Sequence, residues 1–552
     1  MDRKEREQTN NFEYRKIGIA EKRREDGDLV GAITVLRNLE DDKTKNIEVY
    51  ALIAAVYFDM ELYELSLEYW FRYLAASDAV KVKAKAYSGI AACFCMMGDI
   101  RSMGYYIELG SPLSVKGEPE YEKVIMDYYD YVCDSLGPQY YVSYPTENIP
   151  AKRSMFEADS LLDEHKTAEA VEKLAQIPKN DEYYCEAQMK IAKCFYTLDR
   201  KEEAEKVLSD LIDEFPDDAF ANMGYGFERL DNGDEDGARY YLKKAAKGVL
   251  FDEEDYFKIA FTLCRLGAEE DAFYPIEKAF EINEYYLNGI LLYGQLNYNR
   301  GDFPTAAKYF KKFYHLTRNV VAAFFLDLAE KQVGGNIGYS YNPPQAISKF
   351  KGERIIDIIE DKKSELKKYS EEDIEDLIEW SMLFNEDLCN DFISVIMEQG
   401  SARTRNYLIN KMLSFDMPTD AKLKVVEELI MRDYNKKVAF SVENSFVKIQ
   451  LINADFEKTQ GALFKRAFAF AASRTCAFTS DLTKLRDAAY KIYYEIKDAG
   501  ALKKVSDINA LGCVMALKSG FKIGDKSIYD VFFKTNKKAV KKILDILECE
   551  TL

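Results

Sequence analysis

The segment EAQMKIAKCFYTLDRKEEAEKVLSDLIDEFPDD, residues 186–218, decides how the rest of the chain is read. An apolar-periodic run with a small residue at Ala192 leads into a short polar turn. A second run follows, carrying Ala204, Leu208 and Leu211, and Pro216 ends it. Apolar residues spaced three and four apart on both sides of a turn predict two antiparallel helices. Proline, with φ fixed and no amide hydrogen to give, breaks the chain after the second.

Outward from this segment the pattern recurs. Ala170, Ala204, Ala238, Ala272 and Ala306 are each 34 residues from the next. Twelve residues before each stands another small residue: Ala158, Ala192, Gly226, Ala260 and Gly294. Four residues after each comes a large apolar one: Leu174, Leu208, Leu242, Ile276 and Phe310. Two helix backbones approach closely where both carry small side chains, and a bulky residue one turn on fills the space beside the crossing. The turn between the helices carries Gly233-Asp234 and Gly301-Asp302, with Gly267 alone in another copy. Glycine takes positive φ to end the first helix, and aspartate caps the second.

These residues resemble the tetratricopeptide repeat. In 186–218, Ala192, Phe195, Ala204, Leu208, Leu211 and Pro216 stand at that family's small, aromatic, small, large, large and proline positions, and 288–318 follows the same scheme. Arg229 and Asn297 depart from it, standing where other copies have Phe195 and Leu263. The N-terminal part repeats the theme less cleanly, through Ala20, Gly27, Asp28, Ala32 and Leu36, then Ala54, Tyr57, Ser66 and Trp70, then Tyr87, Ala91, Phe94, Gly98, Asp99 and Ile107. The expected fold is all-α: an α-solenoid of such hairpins, followed by a further helical domain with a small β-hairpin. The expected divisions are N-terminal repeats at 1–112, a helical connector at 113–150 with a helix at about 120–136, and five repeats plus a closing helix at 151–335. A helical domain of HEAT-like pattern follows at 336–455, and a last helical domain at 456–552.

The β-hairpin is read from Val438, Phe440 and Val442, then Val447, Ile449 and Leu451, which alternate with polar or small residues around Glu443-Asn444. Ser370 and Asp373 make a capping box before an apolar-periodic run. Further helices are expected at about 386–398, 402–415 and 419–432.

The resemblance implies a concave groove lined by the first helices, at the fifth, ninth and twelfth positions of each repeat. Those positions are Met155, Met189, Met223, Phe257 and Leu291; Asp159, Lys193, Phe227, Phe261 and Gln295; and Leu162, Tyr196, Leu230, Cys264 and Tyr298, with Arg265 beside the last set. Methionine and aromatic side chains suit an adaptable surface for an amphipathic helix or an extended peptide. The competing reading is burial of this stripe, by tight packing or by the C-terminal third, because soluble monomers rarely leave a long apolar patch uncovered.

Other functions find little support. A formal charge of −19 disfavours non-specific association with nucleic acid or an anionic membrane. Residues 484–547 reverse that balance, with fourteen Lys/Arg against seven Asp/Glu, and Lys537, Lys538, Lys541 and Lys542 lie beside Val540, Ile543 and Leu547. That pattern is the basis of the alternative, a regulator whose last domain binds nucleic acid. The plainer account is a solvated face of an amphipathic helix. The segment from Asn232 to Gly237 looks like the start of a calcium loop, but the twelfth position would be Lys243 where a carboxylate is needed. Gly334-Gly335 lacks the Lys-Ser/Thr of a phosphate loop. His165 and His315 are isolated, and the ten cysteines form no C-x-x-C pair. No enzyme activity, metal or cofactor is expected. The N-terminus has no apolar signal-type stretch, no run of about 18 apolar residues occurs, and the cysteine spacing suits a reducing compartment. The chain is therefore expected to be a cytoplasmic scaffold or adaptor for a protein or peptide, with no membrane span and no oligomeric state specified.

Overall fold

The computed structural model describes residues 3–41, 46–114, 150–163, 165–339, 345–361, 365–442, 445–457, 461–479, 481–522 and 528–547. The helix expected at 120–136, the Pro343-Pro344 bend and the Glu443-Asn444 turn lie outside these residues. By its internal contacts the chain divides into two units, one of Met1–Ser66 with Lys83–Pro344 and one of Leu67–Val82 with Gln345–Leu552.

The first unit is built of helical hairpins. Helices α1 (Arg3–Glu25), α2 (Leu29–Asp41), α3 (Glu48–Asp59), α4 (Tyr63–Ala76), α5 (Val80–Met96) and α6 (Ile100–Ser114) come first; the end of α4 and the start of α5 fall in the other unit. The repeats follow as α7 (Pro150–Asp163) with α8 (Thr167–Leu174), α9 (Tyr184–Thr197) with α10 (Lys201–Glu214), and α11 (Ala219–Asp231) with α12 (Glu235–Ala246). Next come α13 (Glu253–Arg265) with α14 (Glu269–Ile282), α15 (Leu287–Asn299) with α16 (Phe303–Thr317), and the closing α17 (Val320–Glu330).

The column residues sit where the packing argument requires. All five alanines of the 34-residue series are 0% exposed. Gly294 shows why the partner position is small: a Cβ there would lie 2.7 Å from the Phe310 ring. The turns carry a further column that composition hides. His165, Asp199, Gly233, Gly267 and Gly301 all have positive φ, at 60°, 59°, 79°, 68° and 86°. The same bend recurs whether or not glycine supplies it, because the backbone amides after each first helix fold back onto its last carbonyls, as Asp234 N does on Arg229 O at 2.8 Å. Asp218, Asp234, Asp252 and Asp302 then cap the helices that follow, each accepting an amide hydrogen three residues on.

The N-terminal hairpins meet the end of the array within this unit. The buried Tyr57 hydroxyl donates to Leu316 O at 2.6 Å, and Arg37 donates to Tyr57 at 2.8 Å. Leu316 lies in the last turn of α16, whose carbonyls lack partners along the helix, so a hydroxyl backed by a cation is suited to that end.

The second unit is helical around one core that runs from Ile355 to Leu544. Its helices are α18 (Gln345–Glu360), α19 (Glu371–Ser381), α20 (Glu386–Gln399), α21 (Ala402–Lys411), α22 (Thr419–Met431), α23 (Ala462–Thr475), α24 (Thr483–Asp498), α25 (Ile508–Lys518) and α26 (Lys537–Ile546). Strands β1 (Lys437–Val442) and β2 (Ser445–Gln450) pair antiparallel with Val438 opposite Ile449 and Phe440 opposite Val447. The hairpin and the Ser370–Asp373 capping box both form as the spacing predicts.

Leu67–Val82, although early in sequence, belong to this unit. The buried Glu68 carboxylate accepts from Ser414 Oγ at 2.9 Å and from the Phe415 amide at 3.3 Å. Phe71 packs edge-on to Phe415, with ring centroids 5.9 Å apart, and Asp78 pairs with Lys437 and Lys448. Beside this junction Lys422, only 2% exposed, donates to Ser441 Oγ at 2.7 Å. Burial lowers its pKa from the ordinary 10.5 to about 8, against the pull of Glu68 and Asp416.

Between pH 8 and 10.5 the unfolded chain still binds the Lys422 proton that the folded chain has released, so this residue makes stability rise with pH across that window and leaves it flat below. Lys422→Met abolishes the effect. The stability difference between wild type and variant is expected to change by on the order of 1–3 kcal/mol over the window. Denaturation at about pH 7.5 and about pH 10 measures it, and a constant difference would contradict the assignment.

Candidate functional site

The first helices α9, α11, α13 and α15 carry the residues read as a groove. The structure does not treat them alike. Met189, Tyr196, Phe227, Phe257 and Phe261 are half-buried, and Lys193 and Arg265 are exposed. Met223, Leu291, Gln295 and Tyr298 are buried. Met189 lies over α11, where a Cβ on Gly224 would come within 3.0 Å of its side chain. Phe257 and Phe261, one turn apart, stack at 5.8 Å between centroids, and Tyr286 meets Phe257 edge-on. The middle repeats thus offer half-covered apolar side chains with cations at their edges, while the last repeat is closed.

What closes it is the chain itself. After α17 the backbone turns back, and Tyr298 donates its hydroxyl hydrogen to Val333 O. The Asn299 side-chain amide then makes a reciprocal pair with one residue, donating to Ile337 O at 2.9 Å and accepting from Ile337 N at 2.8 Å. Ile337 is buried, and Tyr339 packs against the core that contains Cys264 and Ala260. Burial raises the Tyr339 phenol to about 12. Sequence reasoning weighed Gly334-Gly335 only as a failed phosphate loop and did not single out Asn299. An asparagine beside a groove position, followed some forty residues later by a glycine-rich stretch, carries no periodic signal.

A charged row flanks the apolar stripe. Lys190 holds Asp159 at 2.9 Å and lies 3.6 Å from Glu186. Burial pushes the Glu186 carboxyl up to about 7, opposed by Lys190 and reinforced by Asp255, Asp252 and Asp159. Asp255 is likewise raised by burial. Glu186 therefore changes charge near neutral pH, and this part of the first-helix surface becomes more acidic as pH rises.

Burial pushes the thiols of Cys93, Cys185, Cys264, Cys476 and Cys513 up to about 12, away from the thiolate form that attacks or ligates. Among the described residues no cluster of three or more His, Cys, Asp or Glu side chains is placed to hold a metal. No described helix is long and apolar enough to cross a membrane. In the second unit Lys537, Lys538, Lys541 and Lys542 all face solvent, while Val540, Ile543 and Leu544 of the same helix are buried.

Stacked helical hairpins with a half-covered inner face define a helical-repeat protein. Residues 186–218 match the family model of the tetratricopeptide repeat, and helical hairpins recur in the same register on either side of them. No curated protein matches it in sequence. Among solved structures, yeast Tom70 is 12% identical over 90% of this chain and 99% of its own, with a TM-score of 0.21. The TPR2AB domain of yeast Sti1 in complex with pHSP90 is 12% identical over 48% of this chain and 99% of its own, at 0.20. A human IFIT1 dimer with PPP-AAAA is 14% identical over 74% and 90%, at 0.26. Scores this low carry no argument about what this chain binds.

Proposed function

We propose that the chain is a non-catalytic scaffold that holds a protein partner through the inner face of its middle repeats. The observation that carries this reading is the half-covered row of Met189, Tyr196, Phe227, Phe257 and Phe261, flanked by exposed Lys193 and Arg265. Large apolar side chains left partly accessible beside fixed charges are the usual anchors of a protein interface. A rigid repeat array presents them without ordering cost. Cytoplasmic localisation is part of the proposal and rests on the cysteine spacing. The alternative, nucleic-acid binding through residues 456–552, has only exposed lysines behind it, and the apolar side of their helix is already committed to the core.

A double variant, Phe227→Ala with Phe261→Ala, tests the proposal. Both side chains are half-buried, so the variant is expected to keep its helix content while recovering its partners at least about tenfold less well in quantitative affinity capture. Undiminished recovery by a folded double variant would refute groove binding. A salt-sensitive mobility shift retained by that variant would move the assignment to the alternative.

A further inference from the structure

The contact between Asn299 and Ile337 has a specific backbone geometry. One side-chain amide satisfies both the N–H and the C=O of a single residue. A residue inside a helix has both groups committed to its own backbone, so only an extended segment offers the pair. Two side chains follow the same logic: Ile337 is buried, and Tyr339, two residues on, packs against the core of the preceding repeats. Side chains two apart on an extended strand point to the same face. The backbone of Val333 is held as well, its carbonyl accepting from the Tyr298 hydroxyl. Val333, Gly334, Gly335, Asn336 and Gly338 are exposed. Gly335 has φ +145°, which other residues rarely adopt. Three glycines also make ordering this stretch entropically expensive. The segment is thus held at Val333 O, at Ile337 and at Tyr339, and its glycines make that ordering costly.

We propose that Val333–Tyr339 is an intramolecular stand-in for the ligand, and that the face around Tyr298 and Asn299 takes an extended peptide with an apolar residue two positions before an aromatic one. The partner's peptide displaces the strap and extends the interface over the last repeat. The proposal rests on the groove reading above and adds to it the backbone form of the ligand, its side-chain spacing and the segment that competes with it. An extended ligand of this kind needs no glycines, and so pays less to order than the strap does. The strap is favoured in turn by its tether, which keeps its local concentration high.

The probe is a fluorescent peptide of the strap itself, VGGNIGY, and the readout is anisotropy with the full chain. A variant with Ile337→Ala and Tyr339→Ala lets go of its own strap and is expected to bind the probe at least tenfold tighter than wild type. Adding Asn299→Ala to that variant is expected to remove the gain, and a control peptide VGGNAGA is expected not to bind. Failure of the folded variant to bind the probe, or equal binding of the control, would overturn the proposal. If the variant melts early, the wild-type chain decides. Saturating probe must raise hydrogen exchange at the Ile337 amide, and unchanged exchange overturns the displacement. Partner capture through Phe227 and Phe261 is read separately, so the strap reading can fail while the scaffold reading stands.

Discussion

Phe310→Ala is expected to destabilise the end of the repeat array by about 3–5 kcal/mol, the upper range for a buried aromatic. Phe310 is 0% exposed and packs against Phe325, with ring centroids 5.4 Å apart. Its ring also covers Gly294, which has no side chain to move into the space. Partial collapse is what lowers the cost of truncation elsewhere, and here one wall of the cavity is backbone. Because repeat proteins lose stability locally, the loss should concentrate in α15, α16 and α17. Hydrogen exchange across those helices, with urea denaturation for the total, checks both parts. A change below about 1 kcal/mol would show that the crossing relaxes more freely than this packing permits.

Glu68→Ala is expected to cost about 2–4 kcal/mol in the second unit. The buried carboxylate receives Ser414 Oγ and the Phe415 amide on one side and Arg72 on the other, at 2.8 Å. Truncation strands a partly buried main-chain donor and deprives the buried Lys422 of a favourable neighbour. Unpaired buried groups cost more than the net worth of the bond that satisfied them. Asp78→Ala is the contrast. Its pairs with Lys437 and Lys448 lie at the surface and hold its carboxyl down to about 2, yet solvent and salt screen such pairs, and no resolvable loss is expected. Equal losses for the two variants in chemical denaturation would show that Glu68 does not anchor Leu67–Val82.

The repeats were legible because they obey a short-range rule. A helix crossing needs a small residue at Ala204 and its equivalents and a large one a turn later, and periodicity displays both in the letters. The proposed groove was legible only in outline. Position within the repeat predicts that Phe227 and Tyr298 share a face, but not that the phenol of Tyr298 is taken by Val333. The positive-φ column shows a similar limit. Gly233, Gly267 and Gly301 announce the turn, whereas His165 and Asp199 adopt the same conformation with no glycine to mark it. There the closing hydrogen bonds of the helix end outweigh a modest local penalty.

From its letters alone the chain settles the helical hairpins, their interval, the small β-hairpin and the capping box at Ser370, because each depends on residues close in sequence. Tertiary structure alone decided that Leu67–Val82 join the second unit, that Tyr57 closes the end of α16, and that Asn299 clasps Ile337. Those are pairings of single polar groups far apart along the chain. They leave no period to read, and which partner each group finds depends on where close packing brings the backbone.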